Sequence, residues 1–172
     1  EEMLAFAVSF DGPIAIRYPR GSAHQGLQEY QAPVEYGRSE IIRKGKKIAV
    51  LGVGSMIPSC MEICKGLKDD GYDPTFVNAR FVKPLDVDLL DELAKDHSLF
   101  VTVEENVKSG GYGEHVSAYM EACHPEIRVL SAAVWDRFVP QGNVESLRSR
   151  IGLGVEDISC LLYTSPSPRD RQ

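Results

Sequence analysis

The feature that most constrains the fold is a regular alternation of apolar runs and helical patterns between residues 47 and 151. Four apolar runs of strand length are separated by stretches in which apolar residues recur every three or four positions. The runs are 47–53, 75–79, 99–103 and 127–134. This order predicts an α/β domain with a mostly parallel sheet, and right-handed crossovers then place helices on both of its faces.

Capping residues and one further strand complete this pattern. Asp86 and Asn143 each stand at the start of a helical stretch and are good N-caps. Before the first run, residues 40–43 (EIIR) predict a short strand, and Lys44-Gly45 predicts a tight turn. We therefore expect a sheet of about five strands, in which 40–43 pairs with 47–53 as an antiparallel edge strand.

The two ends of the chain depart from the alternation. Residues 1–10 have a helical pattern, Asp11-Gly12-Pro13 breaks it, and Ile14-Ala15-Ile16 reads as a strand. Residues 21–33 are polar and small, as in a linker. From about Cys160 the apolar period is lost and two Ser-Pro pairs follow, which predicts a disordered tail. This tail resembles translated sequencing-adapter sequence, so we expect it to be non-native; a natural flexible tail is the alternative.

Composition argues against several classes of protein. The 172 residues carry a net charge of −6, which disfavours binding to nucleic acid or to an anionic membrane surface. No apolar run approaches the roughly 20 residues that a membrane span needs. The cysteines lack metal-ligand spacing, and we expect them to be reduced and mostly buried. The histidines are isolated in sequence, so we predict neither a metal site nor a catalytic histidine.

The sequence PIAIRYPRG (13–21) places two arginines directly after the first predicted strand. The guanidinium groups of Arg17 and Arg20 offer planar forks of donors, which match the oxygens of phosphate or carboxylate in pairs. Ligands of α/β proteins bind at such strand ends. A structural ion pair between domains is the alternative, and the residues alone do not decide between the two.

Four other stretches are candidates for chemistry, each with a structural alternative. The turn GVGS (52–55) could hold phosphate through backbone N–H groups, although its glycines also suit a tight turn. Glu104 and Glu105 could act as acid and base, but neighbouring strand residues point to opposite faces, so we favour a helix cap or a contact with a cation. GGYG (110–113) predicts close packing of a helix start against the sheet. The loop 135–142 suits a protein interface or folds onto its own domain.

Together these motifs resemble one family of enzymes. "IRYPRG", "RFVKPLD", "VTVEEN…GGYG" and "DRFVPQG" with a following "IGL" look like 1-deoxy-D-xylulose-5-phosphate synthase over about residues 1–158. The resemblance implies the C-terminal end of such an enzyme. Residues 1–30 would then be the last helix and strand of a pyrimidine-binding domain with a linker, 31–159 a transketolase-type C-terminal domain, and 160–172 the tail. In the second motif, Arg80 and Lys83 could meet the acids of a partner subunit or domain.

The resemblance also implies an activity. Synthases of this family condense pyruvate with glyceraldehyde 3-phosphate, release CO2 and form a precursor of isoprenoids, thiamine and pyridoxal. They use thiamine diphosphate held through Mg²⁺, and the residues that bind and activate this cofactor would precede residue 1. We therefore expect no catalytic, cofactor-binding or metal-binding residue in this chain, and no activity from it alone. Arg20 is expected to contact the substrate phosphate, with Arg17 as a second candidate or an interdomain contact.

The resemblance further implies a homodimer in the bacterial cytoplasm or in a plastid. Two alternatives remain open at this point. One is the C-terminal domain of a related thiamine-diphosphate enzyme, either the β subunit of a 2-oxo acid dehydrogenase or a transketolase. The other is a non-catalytic α/β module that binds a partner or an anion.

Overall fold

The computed structural model of the chain describes residues 2–18, 26–27, 29–30 and 32–164. In chain order the elements are α1 (Glu2–Ser9), β1 (Glu40–Arg43), β2 (Lys47–Gly52), α2 (Ile57–Asp69), β3 (Thr75–Asn78), α3 (Val87–Ala94), β4 (His97–Val107), α4 (Tyr112–Cys123), β5 (Arg128–Val134), α5 (Val144–Arg150) and α6 (Val155–Thr164). A single turn of 3-10 helix, Gly54–Met56, joins β2 to α2.

The strands form one five-stranded sheet in the order β1-β3-β2-β4-β5. The strands β3, β2, β4 and β5 are parallel, and β1 is the antiparallel strand at one edge. The predicted α/β class, the number of strands and the antiparallel edge strand are therefore confirmed. The direction of the connections reverses at β2, since the chain goes first to β3 on one side of β2 and then to β4 on the other.

The predicted hairpin between β1 and β2 is wrong, because β1 pairs with β3 and not with β2. The turn at Gly45 crosses over the start of β3. The N–H of Gly45 donates to Thr75 Oγ1 at 2.9 Å, and the N–H of Lys46 donates to Asp73 O at 2.6 Å. A Cβ atom on Gly45 would lie 2.2 Å from Asp73 O, so only glycine fits this crossing. A two-residue turn signal describes the turn itself and does not determine whether the strands on either side of it pair with each other.

Apolar residues of the central strands alternate between the two faces of the sheet. Val50 and Val101 contribute to a core under α2 and α6, whereas Ala49 and Phe100 contribute to a second core under α3 and α4. Both cores are continuous across the sheet, which is why the central strands read as unbroken apolar runs. Helices cover both faces, as right-handed crossovers require.

The predicted caps are confirmed. Asp86 accepts a hydrogen bond from Leu89 N at 3.3 Å, and Asn143 accepts one from Ser146 N at 2.8 Å. All four cysteines are free thiols, but only Cys60 and Cys64 are buried, whereas Cys123 and Cys160 are exposed. The expectation of mostly buried cysteines therefore holds for one pair and is wrong for the other.

Both ends of the chain differ from the prediction. α1 confirms the first helix, but Pro13 to Tyr18 form no strand, because no described segment runs beside them to supply hydrogen bonds. At the other end α6 continues through Cys160 to Thr164, where a disordered tail was predicted. Its buried Ile158 and the partly buried Leu162, four residues on, pack against the core beside α2. Residues 165–172 lie outside the described residues, and among the described ones no helix is long and apolar enough to span a membrane.

Candidate functional site

The first candidate site is the arginine motif, of which the structure describes only the beginning. Arg17 is exposed, and its guanidinium forms no ion pair with another described residue. Arg20, the stronger candidate for a phosphate contact, lies outside the described residues. The described structure therefore does not test whether Arg17 and Arg20 lie close enough together to bind one phosphate group.

The second candidate site is the carboxyl edge of the sheet, where the sequence placed GVGS and the paired glutamates. β2 pairs with β4 as far as Gly52 and Val103, so the GVGS turn begins beside Glu104, which lies in the last part of β4. Because the connections reverse at β2, this is the topological switch point at which open α/β sheets bind ligands. The fold therefore brings these two predicted stretches together.

Glu104 serves as the cap of α4. Its carboxyl group is fully buried and accepts hydrogen bonds from Tyr112 N at 2.9 Å, from Gly113 N at 2.8 Å and from the Asn106 side-chain amide at 2.8 Å. Backbone N–H groups in the first turn of a helix have no partner within the helix, and a buried carboxyl group supplies one. This confirms the structural interpretation of the residue, with its side chain committed to protein donors.

Glu105 instead meets a cation, the guanidinium of Arg148 on α5. Arg148 Nε and Nη2 each lie 2.6 Å from Glu105 Oε1, and Nη2 also donates to Ser55 O at 3.3 Å. The hydroxyl of Ser55 donates to the other carboxylate oxygen of Glu105. The three residues therefore join the ends of β2 and β4 to α5 in one network.

This network leaves little chemistry free at the switch point. The Ser55 hydroxyl is committed to Glu105. Two backbone N–H groups at the turn are also committed, because Val53 N donates to Val103 O and Met56 N donates to Val53 O. Phosphate binding by the remaining N–H groups of GVGS stays a prediction. The two glutamates have different partners and do not form an acid–base pair. Within the described residues, no group of His, Cys, Asp or Glu side chains has an arrangement that could hold a metal ion. The committed oxygens at this edge do not fit Mg²⁺ and a diphosphate, and we assign no reaction step to these residues.

The glycines of GGYG have the predicted packing role. A Cβ atom on Gly113 would lie 2.2 Å from Ser131 Oγ and 2.4 Å from Thr102 Oγ1, so α4 begins in direct contact with β4 and β5. A Cβ atom on Gly111 would lie 2.7 Å from Glu104 Oε1. Glycine at both positions lets the helix start come close enough for the Glu104 cap to form.

The loop after β5 presents its aromatic rings to solvent. Trp135 is 59% exposed and Phe138 is fully exposed, and the Lys108 ammonium lies 4.8 Å from the centre of the Trp135 ring. Trp135 therefore contacts its own domain through Lys108, whereas Phe138 does not pack on it, and the prediction of a protein interface at this loop stays a prediction.

The RFVKPLD motif meets its partners within the same chain. Arg80 forms a buried ion pair with Glu40 at 2.7 Å, so its acid belongs to the edge strand β1 rather than to a partner subunit. Lys83 is exposed. The end of the motif anchors a turn, because Asp86 accepts hydrogen bonds from Ser39 N at 2.7 Å and from Arg38 Nη1 at 3.0 Å.

Sequence reasoning missed a polar cluster between α3 and α4. Asp91 Oδ1 lies 2.7 Å from His124 Nε2 and accepts the Tyr119 hydroxyl at 2.8 Å, beside a surface groove of about 480 Å³. The hydrogen bond from His124 holds the pKa of Asp91 below its ordinary value, and the bond to Asp91 raises the pKa of Tyr119 to about 12. The three residues are isolated in sequence, and only the packing of the two helices brings them together.

Comparison with known proteins agrees with this geometry. The family model for the transketolase C-terminal domain matches residues 37–158, and the chain belongs to that family. The resemblance seen in the sequence is confirmed by curated relatives named 1-deoxy-D-xylulose-5-phosphate synthase. The protein from Lachnoclostridium phytofermentans is 42% identical over 92% of this chain and 25% of its own length. The protein from Dictyoglomus thermophilum is 39% identical over 92% of this chain and 26% of its own length. The chain thus spans about a quarter of the length of these relatives.

Solved structures give the same fold. A structure described as a split gene transketolase, an inactive beta4 tetramer, superposes with a TM-score of 0.71 and 28% identity, over 78% of this chain and 44% of the other. Transketolase from Campylobacter jejuni superposes with a TM-score of 0.52 at 17% identity, over 75% of this chain and 19% of the other, and supports the fold alone.

Proposed function

We propose that the chain forms the C-terminal part of a 1-deoxy-D-xylulose-5-phosphate synthase, which joins pyruvate to glyceraldehyde 3-phosphate with loss of CO2. The observation that carries this proposal is the 42% identity to such a synthase over 92% of the chain, more of it than the domain model matches. In this proposal residues 1–30 close a preceding pyrimidine-binding domain, and residues 31–159 are the C-terminal domain. The product would serve isoprenoid, thiamine and pyridoxal synthesis.

In such an enzyme this chain would bind and position the phosphorylated substrate, and the chemistry would take place on a cofactor held elsewhere. Thiamine diphosphate, held through Mg²⁺ by residues outside this chain, would supply the carbanion chemistry. Arg20 would grip the phosphate of glyceraldehyde 3-phosphate, and the exposed Arg17 would support it or contact the neighbouring domain. A guanidinium suits this task because its fork of donors matches two phosphate oxygens at once.

The first test is the activity of a full-length protein that carries this sequence at its C-terminal end. With thiamine diphosphate and Mg²⁺ present, pyruvate and glyceraldehyde 3-phosphate should give CO2 and 1-deoxy-D-xylulose 5-phosphate in equal amounts. Transfer of a two-carbon unit from a ketose phosphate, with no consumption of pyruvate, would instead identify a transketolase and overturn the proposal.

The arginine motif gives a sharper test within that enzyme. The substitution Arg20→Ala should raise the KM for glyceraldehyde 3-phosphate far more than the KM for pyruvate, which has no phosphate. A charged bidentate contact contributes about 1.5–3 kcal/mol, or roughly 10- to 150-fold. Steady-state kinetics with each substrate varied in turn measures the two effects, and equal changes would count against the phosphate contact.

We further propose that the enzyme is a homodimer of the bacterial cytoplasm or of a plastid. The exposed Trp135 and Phe138 support an assembly surface on this domain, because large aromatic side chains contribute much of the energy at protein interfaces. Light scattering on the full-length protein should give twice the mass of one chain.

A further inference from the structure

Two consecutive residues of the RFVKPLD motif, Arg80 and Phe81, contact different parts of the chain that precedes β1. Both lie in the connection between β3 and α3, and both are buried, with Arg80 8% exposed and Phe81 7% exposed. Neither takes part in the network at the switch point. The function proposed above therefore gives neither residue a role, although Arg80 makes several polar contacts and Phe81 several aromatic ones.

Arg80 holds the chain at Ala32 and Pro33. Its Nη1 donates to Ala32 O at 2.8 Å and to Pro33 O at 3.1 Å, while its Nη2 pairs with Glu40 Oε2 at 2.7 Å. Glu40 completes the contact, because its Oε1 accepts from Ala32 N at 3.2 Å. The ion pair thus binds both the N–H and the C=O of one residue, which fixes this backbone against β1.

Phe81 holds the other end of the same stretch through α1. Its ring meets Phe6 edge-on, with centroids 5.7 Å apart, and also meets Tyr36 edge-on at 5.9 Å. Phe10 stacks on Tyr36 at 5.0 Å and lies 5.6 Å from Phe6, so four rings close one cluster. Aromatic pairs in these geometries add about 0.5–1.5 kcal/mol each beyond their buried area.

We propose that Arg80 and Phe81 are positioning residues, which clamp both ends of the stretch that carries the arginine motif. In the sequence, Arg17 lies between α1 and Ala32, the two anchored ends. Its side chain is exposed and forms no ion pair with another described residue, so it is available to a ligand. A stretch whose ends are already fixed has less freedom to lose when it grips a phosphate, so the clamp strengthens binding without touching the substrate. This inference rests on the proposed function.

The test must separate positioning from stability. Removing Arg80 alone leaves the Glu40 carboxylate buried and unpaired, which by itself can unfold a domain. The double substitution Glu40→Leu with Arg80→Met removes both charges, keeps the apolar volume and releases Ala32 and Pro33. The control removes a polar pair on another surface of the domain, by Asp91→Asn with His124→Gln.

In the full-length enzyme, the clamp variant should raise the KM for glyceraldehyde 3-phosphate about tenfold or more, because small misplacements of a positioning group cost up to about a hundredfold. The KM for pyruvate and the KM values of the control should change less than about twofold. Hydrogen exchange of the Ala32 amide, which donates to Glu40 Oε1, should be at least about tenfold faster in the clamp variant and unchanged in the control. The substitution Phe81→Leu should produce the same faster exchange in α1.

Combining the clamp variant with Arg20→Ala identifies the route of the effect. If the clamp acts through the arginine motif, its effect on the KM for glyceraldehyde 3-phosphate disappears in the Arg20→Ala background. Fully additive effects, unchanged exchange, or equal changes in both KM values would each overturn the inference. Failure of the proposed function is a separate result, seen as equal effects of Arg20→Ala alone on the two substrates.

Discussion

The carboxyl group of Glu104 is fully buried and accepts three hydrogen bonds, two of them from N–H groups that begin α4. The substitution Glu104→Gln replaces one acceptor by a donor, so at least one buried N–H loses its partner. We expect a loss of about 2–3 kcal/mol in the free energy of unfolding, measured with urea. The neighbouring Glu105→Gln, in a half-exposed ion pair, should cost about 1 kcal/mol or less. Equal losses in the two variants would argue against the cap.

The buried thiols of Cys60 and Cys64 should be unreactive in the folded protein. Burial raises the pKa of both, that of Cys64 to about 12, so neither is a thiolate at neutral pH. Treatment with iodoacetamide at pH 8 should alkylate the exposed Cys123 and Cys160 and spare the buried pair. In 8 M urea all four should react, which is the internal control. Mass spectrometry gives the count, and alkylation of Cys60 as fast as Cys160 in the folded protein would contradict the prediction.

Short-range residue roles could be predicted, and long-range ones could not. Asp86 and Asn143 accept from N–H groups three residues further along the chain, so propensity and spacing point to them. Arg148 reaches Glu105 across 43 residues, and its helix carries no motif that marks it. Such a partner is defined by how α5 packs on the sheet, and a single sequence contains no signal for that.

At the scale of an element, the start of α4 packs so closely on the sheet that Gly113 leaves no room for a side chain. The substitution Gly113→Ala places a methyl group against Ser131 Oγ and Thr102 Oγ1, so α4 must move away from the sheet. We expect a loss of about 1–3 kcal/mol in the free energy of unfolding. Gly66, inside α2 with open space around it, is the matched control, and Gly66→Ala should gain about 0.5–1 kcal/mol. Urea unfolding measures both, and a similar gain at Gly113 would contradict the packing argument.

The elements that could be predicted are those with a local signal along their whole length. α2, α3 and α4 have helical periodicity with clear ends, and the central strands are apolar on both faces. The errors lie where tertiary contacts decide. β1 is a correctly predicted strand with the wrong neighbour, because pairing depends on where β3 lies. α6 extends past its predicted end because Leu162 finds the core beside α2, and a turn of helix with one apolar contact has little periodicity to detect.

At the scale of the whole molecule, the proposed active site would be divided between this chain and residues outside it. Many α/β proteins bind ligands at the switch-point edge of the sheet. In this chain the side chains of Ser55, Glu105 and Arg148 bind one another at that edge. The arginine motif, which carries the expected substrate contact, belongs to a different part of the chain, whose ends we propose are held by Arg80 and Phe81. The motif could be predicted from its residues, but the two anchors could not, since their partners are 40 to 75 residues away in the sequence.

This division predicts how the chain behaves toward the cofactor. The carboxyl groups of Glu104 and Glu105 at the sheet edge are committed to protein donors, and among the described residues no cluster of His, Cys, Asp or Glu side chains could hold Mg²⁺. Isothermal titration of this chain with thiamine diphosphate and Mg²⁺ should therefore give no saturable heat, whereas the full-length protein under the same conditions should bind. A far-ultraviolet circular dichroism spectrum and a cooperative urea transition of the chain first establish that it is folded. Saturable heat that disappears with EDTA would mean that this chain itself holds the metal and the diphosphate, and that the assignment of those contacts to residues outside it is wrong.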